Sequence, residues 1–141
     1  MKSRKSWIPK LNPDQEIKLT TDKRNGDSML IPTPMLMAAE IRKIPKGKVR
    51  KIGVIRDKLA ADHNVDRTCP LVAGIFMSIL AGAAEEQFAA GKKRVVAPYW
   101  RVILDDGSIR IKEPPGLERA IELLKLEGHT VVQRGKKWVI S

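Results

Sequence analysis

The sequence is short of the residues from which most small catalytic and metal sites are built. It has one cysteine, Cys69, and two histidines, His63 and His129, in 141 residues. A single cysteine forms no internal disulfide, so the fold does not depend on an oxidising compartment. These three potential ligands match no zinc spacing, and two scattered histidines compose no Ser–His–Asp set. Gly47 and Gly53 stand too isolated for a phosphate-cradling loop. The expectation is no metal and no cofactor. No apolar run approaches the ~20 residues of a membrane span. The opening Met-Lys-Ser-Arg-Lys-Ser-Trp lacks the apolar stretch of a signal peptide. Both point to a cytoplasmic protein without a membrane partner.

Positive charge is abundant. Lys and Arg number 27 against 16 Asp and Glu, a formal net charge of +11. Such a chain attracts polyanions over about a Debye length, ~8–10 Å at ordinary salt. Nucleic acid is the expected partner; anionic membranes and acidic proteins share the same attraction. With 43% hydrophobic and 30% charged residues, the composition is that of a globular chain of one domain.

Residues 1–30 are polar, without sustained periodicity, and read as an N-terminal arm with Trp7 and Ile8 as docking anchors. The domain proper is expected over 31–141. Thr33 as N-cap and Pro34 at the first helical position announce a helix to about Lys43, with Leu36, Met37, Ile41 and Ile44 as its apolar stripe. A second helix runs from about Ile52 to His63, and Asn64 suits its left-handed end. Thr68 or Cys69 caps a long third helix, about 70–90. Leu71, Val72, Ile75, Phe76, Ile79, Leu80 and Ala83 are expected as its core face. Ala73, Gly74, Met77, Ser78, Ala81 and Gly82 form a slim second face suited to close approach. Asp105-Asp106-Gly107 predicts a hairpin turn returning through Ile109 and Ile111. Pro114-Pro115-Gly116 breaks the chain. A short helix follows through Leu117, Ile121, Leu124 and Leu126 to Gly128, and Arg134-Gly135-Lys136 centres a last hairpin. The order is mainly α with small β hairpins, and suggests a winged helix-turn-helix.

Three places invite chemistry. From Arg42 to Lys58 eight cations face one acid, Asp57. Lys46, Lys48, Arg50 and Lys51, with the backbone amides opening the second helix, are expected to hold phosphates. Tyr99-Trp100-Arg101 either stacks on a base and clamps a phosphate or plugs the interior. Cys69, at a helix start, gains thiolate character from the dipole, but no base is placed convincingly beside it. The structural reading is favoured over a thiol enzyme.

Several segments then fall in one order: Ile44-Pro45-Lys46-Gly47-Lys48-Val49, the helix ending near Leu59-Ala60, Pro98-Tyr99-Trp100-Arg101-Val102-Ile103, Asp106-Gly107-Ser108, and Gly116-Leu117 through Leu123-Leu124-Lys125-Leu126-Glu127-Gly128-His129. Over roughly 33–130 this series resembles the DNA-binding domain of methylguanine-DNA methyltransferases, and most nearly their catalytically inactive alkyltransferase-like relatives. The resemblance implies a winged helix-turn-helix with its recognition helix in the minor groove of double-stranded DNA. Ala73, Gly74, Met77 and Ser78 would face that groove. Tyr99, Trp100, Arg101 and Glu127 would line a remnant of the alkylguanine pocket. The acceptor cysteine corresponds to Tyr99 and its activating histidine to Trp100, so no alkyl transfer is expected: a phenol of pKa ~10 is a poor nucleophile. The tyrosine and arginine that assist base rotation correspond to Ile52 and Leu71. The resemblance implies a non-enzymatic, monomeric DNA-binding protein, linked to repair and to a repair-protein partner. The competing expectation is an interaction module that keeps the fold and binds protein or RNA through Tyr99–Trp100 and Trp7.

Overall fold

Thr33 opens the helical part of the chain as its chemistry dictates. Its hydroxyl accepts a hydrogen bond from the Leu36 N–H at 3.1 Å, and Pro34 presets the first turn. In the computed structural model, which describes residues 6–110 and 116–141, α1 spans Pro34–Ile41. It is followed by α2, Ile52–Asp62, α3, Pro70–Ala89, and α4, Leu117–Leu126. Asn64 takes a left-handed φ of 56° just past α2, and Gly128 a φ of 94° just past α4.

One core joins the four helices. Met37, Ile41 and Ile44 meet Ile55 and Leu59 of α2, Met77 and Leu80 of α3, and Leu124 of α4, all fully buried. Leu126, expected on the α4 stripe, is exposed. At ~100° per residue it lies about 200° round the helix from the buried Leu124. By length and composition α3 is apolar enough to cross a membrane, a property its sequence hides because Glu85, Glu86 and Gln87 interrupt the apolar run. In this fold its inner face, including Leu80, Ala81, Ala83 and Ala84, is packed against the other elements.

The segment expected as a loose arm is folded from Ser6 onward. A 3₁₀ turn at Ile8–Leu11 precedes an antiparallel pair, β1, Lys18–Thr21, and β2, Ser28–Ile31. β1 is exposed along its whole length, so it carries no alternation to reveal it. β4, Arg67–Thr68, adds to β2 in parallel. Asp66 accepts from the Ser28 N–H at 2.9 Å and its hydroxyl at 3.0 Å, and Arg67 pairs with the buried Asp22. Trp7 does anchor the segment, on the C-terminal half of α3. Ile8 does not; its side chain is exposed.

β3, Arg50–Lys51, pairs in parallel with β5, Val102–Ile103. The Asp105–Gly107 turn forms, with Gly107 at φ 89° and the Leu104 N–H bonded to Ser108 O at 2.8 Å. Among the described residues no return strand pairs with β5. Ser108 instead bridges Val139, and the Ile109 N–H reaches Trp138 O at 2.8 Å. Ile111, Pro114 and Pro115 lie outside the described residues. The last hairpin is present as β6, Val131–Arg134, and β7, Lys137–Ile140, turning at Gly135.

Candidate nucleic-acid interface

The basic stretch divides into two sets. Arg42 donates to Val96 O at 2.8 Å. Lys43 pairs with Glu40 at 2.9 Å, Arg56 with Asp105 at 3.6 Å, and Lys58 with Asp62 at 2.6 Å. Among the described residues, Lys46, Lys48, Arg50 and Lys51 have no ion pair. They occupy the link between α1 and α2, where no acid occurs from residue 42 to residue 56. Lys46, Lys48 and Lys51 are exposed and Arg50 is half-buried.

The start of α2 is not an open phosphate site. Asp105 Oδ1 accepts the Gly53 N–H at 2.7 Å, so a carboxylate already sits on the positive end of the helix. Asp-Asp-Gly signalled a turn; that its first aspartate also caps a helix 52 residues away left no local trace. The start of α3 differs. Cys69 offers no side-chain cap, and among the described residues no side chain accepts from the first-turn amides.

The faces of α3 are partly exchanged relative to expectation. Ala73 and Met77, expected in the groove, are 0% exposed and belong to the core. Leu71 and Ile75, expected in the core, are 72% and 51% exposed. The outward strip of the first half is Leu71, Gly74, Ile75 and Ser78, with Gly74 and Ser78 half-buried as its small members. The physical reason is which side α1 and α2 cover: Ala73, Met77, Leu80, Ala81 and Ala84 follow one another at three- and four-residue spacing on the face that meets Met37, Ile41, Ile55 and Leu59, and Leu71 and Ile75 lie off that face. Helical spacing alone fits either face. Residues 102–110 connect this strip with the unpaired cations. They pair with Arg50–Lys51 at one end, and at the other Arg110 donates to Gly74 O at 3.3 Å.

Tyr99, Trp100, Arg101 and Glu127 come together, but as interior structure. Tyr99 is 1% and Trp100 8% exposed. Neither is a platform for a base, and the plug reading holds. Their rings meet edge to face at 5.3 Å, and Tyr99 donates its hydroxyl to Glu85 Oε2 at 2.9 Å. Arg119 holds the other Glu85 oxygen at 2.7 Å; neither partner was legible beside Tyr99 in the sequence. Arg101 grips Glu127 through Nε at 3.0 Å and Nη2 at 2.6 Å, and donates to Ile44 O at 2.8 Å. Burial pushes the Glu127 carboxyl up, and its hydrogen bonds, the guanidinium's first, outweigh that and hold it below the usual glutamate range. Trp7 is likewise committed inward, against Gly82. Tyr99 and Trp100 therefore do not present the contact surface that the interaction-module reading required.

Cys69 is half-buried at the α3 N-cap. His63 Nδ1 lies 2.8 Å from Leu59 O, engaged with its own helix. Among the described residues no cluster of three or more His, Cys, Asp or Glu is placed to hold a metal ion.

No family model matches the chain, and no curated protein matches it either. Among solved structures it is similar to S. pombe Atl1, crystallised in complex with damaged DNA containing O6-carboxymethylguanine. The likeness covers 77% of this chain and 87% of that one, at 20% identity and a TM-score of 0.53. At that identity the likeness is one of fold, and the fold is shared over most of both chains.

Proposed function

We propose that this chain is a non-enzymatic, alkyltransferase-like DNA-binding protein that docks on duplex DNA as a winged helix-turn-helix. The carrying observation is the fold shared with a protein crystallised on damaged DNA. Two features of this chain support it. Within residues 42–58 the cations without an internal partner are the four that the sequence marked for phosphate, Lys46, Lys48, Arg50 and Lys51. The outward strip of α3 is narrow at Gly74 and Ser78 and carries no charge, since residues 70–78 contain none. The open α3 N-terminus adds backbone donors for a phosphate.

The absence of alkyl transfer in this reading follows from Tyr99. Its hydroxyl is buried and donates to Glu85, so no nucleophile faces a bound base. Ile52 is packed against the core at the start of α2, and offers no phenol to turn a nucleotide out of the stack. Base rotation costs a few kcal/mol, so plain duplex binding is the primary activity and lesion preference a secondary one.

A salt titration tests the proposal. With four phosphate contacts, log K should fall with log salt at a slope of about −3.6. Joint replacement of Lys46, Lys48, Arg50 and Lys51 by alanine should flatten most of that slope while leaving the thermal midpoint nearly unchanged. Absence of binding to any duplex at low salt eliminates the proposal. Matched plain and O6-alkylguanine duplexes, titrated in parallel, measure any preference for the lesion.

A further inference from the structure

We infer that the loop of Lys92, Lys93 and Arg94, just past the C-terminus of α3, is a second phosphate-binding element that grips the DNA backbone outside the contact made by the helices and their linker. The inference rests on the DNA-binding reading above and extends its contact surface. The three residues are consecutive and exposed. No acid occurs from residue 87 to residue 104, and among the described residues none of the three has an ion pair. The loop is nonetheless fixed to the fold. Gln87 closes it from both ends: its carbonyl accepts the Lys92 N–H at 3.0 Å, and its side-chain oxygen accepts the Val96 N–H at 2.6 Å. Val96 and Ala97, which follow, are buried. Cations presented on a loop already held at both ends give up little freedom on binding.

The needs of the helix do not account for this triplet. The pull of the macrodipole on cations falls off within the last turn, and Lys93 and Arg94 lie beyond the C-cap of α3, Ala90. Adjacent like charges with no acid to answer them repel one another and work against the compact state. An external polyanion relieves that repulsion, and Arg42 indicates which one. Arg42 is exposed, and its Nε is bonded to Val96 O at 2.8 Å. From Arg42 the chain reaches Lys46 in four residues, a span of at most ~14 Å. Positive charge therefore steps from the loop through Arg42 to the linker that carries Lys46, Lys48, Arg50 and Lys51. Duplex DNA has one negative charge per ~1.7 Å of its axis, so it can neutralise both ends of that run at once. A single small anion cannot.

The test compares duplex binding by the full chain with that of its Lys92→Gln/Lys93→Gln/Arg94→Gln variant over a salt series. Four contacts at the linker and three at the loop should give wild type a slope of log K on log salt of about −6.3, and the variant about −3.6. Lys93→Gln alone should flatten the slope by about 0.9. The thermal midpoint of either variant should equal or exceed that of wild type, which serves as the folding control. Lys18→Gln/Lys23→Gln removes two exposed cations of the N-terminal segment and should leave the slope unchanged. A wild-type slope retained in the loop variants overturns the inference, whatever else the loop binds. So does a Lys18/Lys23 variant that flattens the slope as much per charge, because the effect is then one of overall field and not of contact. Either result leaves duplex binding through the linker standing. Loss of all duplex binding in wild type removes the DNA reading itself, and the two failures are distinct.

Discussion

Gly82 and Gly74 lie on the same helix, two turns apart, in opposite surroundings. A Cβ on Gly82 would sit inside the van der Waals surface of the Trp7 ring. Around Trp7 the site is fully made: its backbone N–H donates to Glu86 Oε1 at 2.5 Å, Ser6 donates to the other Glu86 oxygen at 2.6 Å, and Lys10 lies over the ring at 4.6 Å. A Cβ on Gly74 would touch nothing. The C-terminal half of α3 is thus closed by the chain's own N-terminal segment, and its N-terminal half is open. Glycine in a helix interior costs roughly 0.5–1 kcal/mol relative to alanine. At Gly82 that cost is offset by the docked indole. At Gly74 no packing among the described residues offsets it.

Enlarging the closed end should have the greatest effect. Gly82→Val forces Trp7 off the helix and should destabilise the fold by about 1–3 kcal/mol, as overpacking of a filled site does. Thermal unfolding measures it. In a Trp7→Ala background the same substitution should cost much less, because the clashing ring is gone. Equal costs in the two backgrounds would show that the indole is not what Gly82 accommodates, and the contrast between the glycines would dissolve.

Gly74→Ala should act with the opposite sign on stability. It should raise the unfolding free energy by about 0.5–1 kcal/mol while weakening duplex binding several-fold. A stabilised variant that binds DNA as well as wild type would mean that the strip at Gly74 does not meet the duplex. A destabilised one would mean that the space around Gly74 is needed by the chain itself.

The same contrast explains what the sequence disclosed. Helix starts and ends were legible because they are written in local chemistry: Thr33-Pro34, Asn64, Cys69-Pro70, Gly128. Lys46, Lys48, Arg50 and Lys51 were legible because no acid lies within five residues of any of them in the sequence. The two faces of α3 were not legible. Ala73 and Met77 share helical spacing with the core as well as Leu71 and Ile75 do, and the choice depends on which face α1 and α2 cover. Distant partners were equally silent: Asp105 at the start of α2, Glu85 under Tyr99, Glu86 under Trp7. β1 and β2 escaped notice because a short hairpin exposed on one strand has no alternating pattern to announce it.

The smallest expected effect concerns Glu86, and it separates the two ends of α3 by pH. Burial works against the Glu86 charge, but hydrogen bonds from Ser6, Trp7 and Ile8 outweigh it and hold the carboxyl below the ordinary glutamate value. The folded state therefore binds fewer protons than the unfolded state as pH falls through the carboxylate range. This anchor's stabilisation is complete above the unfolded value of ~4.3 and is lost as pH drops through the lowered folded value. Acidification should release Trp7 from Gly82, seen as a change in its fluorescence once Trp100 and Trp138 are replaced by phenylalanine. Glu86→Gln should remove that pH dependence. The strip from Leu71 to Ser78 carries no titrating side chain, so acid should reach it only through global unfolding. Amide exchange read along α3 should then rise first around Gly82 and later around Gly74. Simultaneous loss of protection at both would mean that the closed and open halves are one cooperative unit, and that the docked indole stabilises the whole helix rather than its own end.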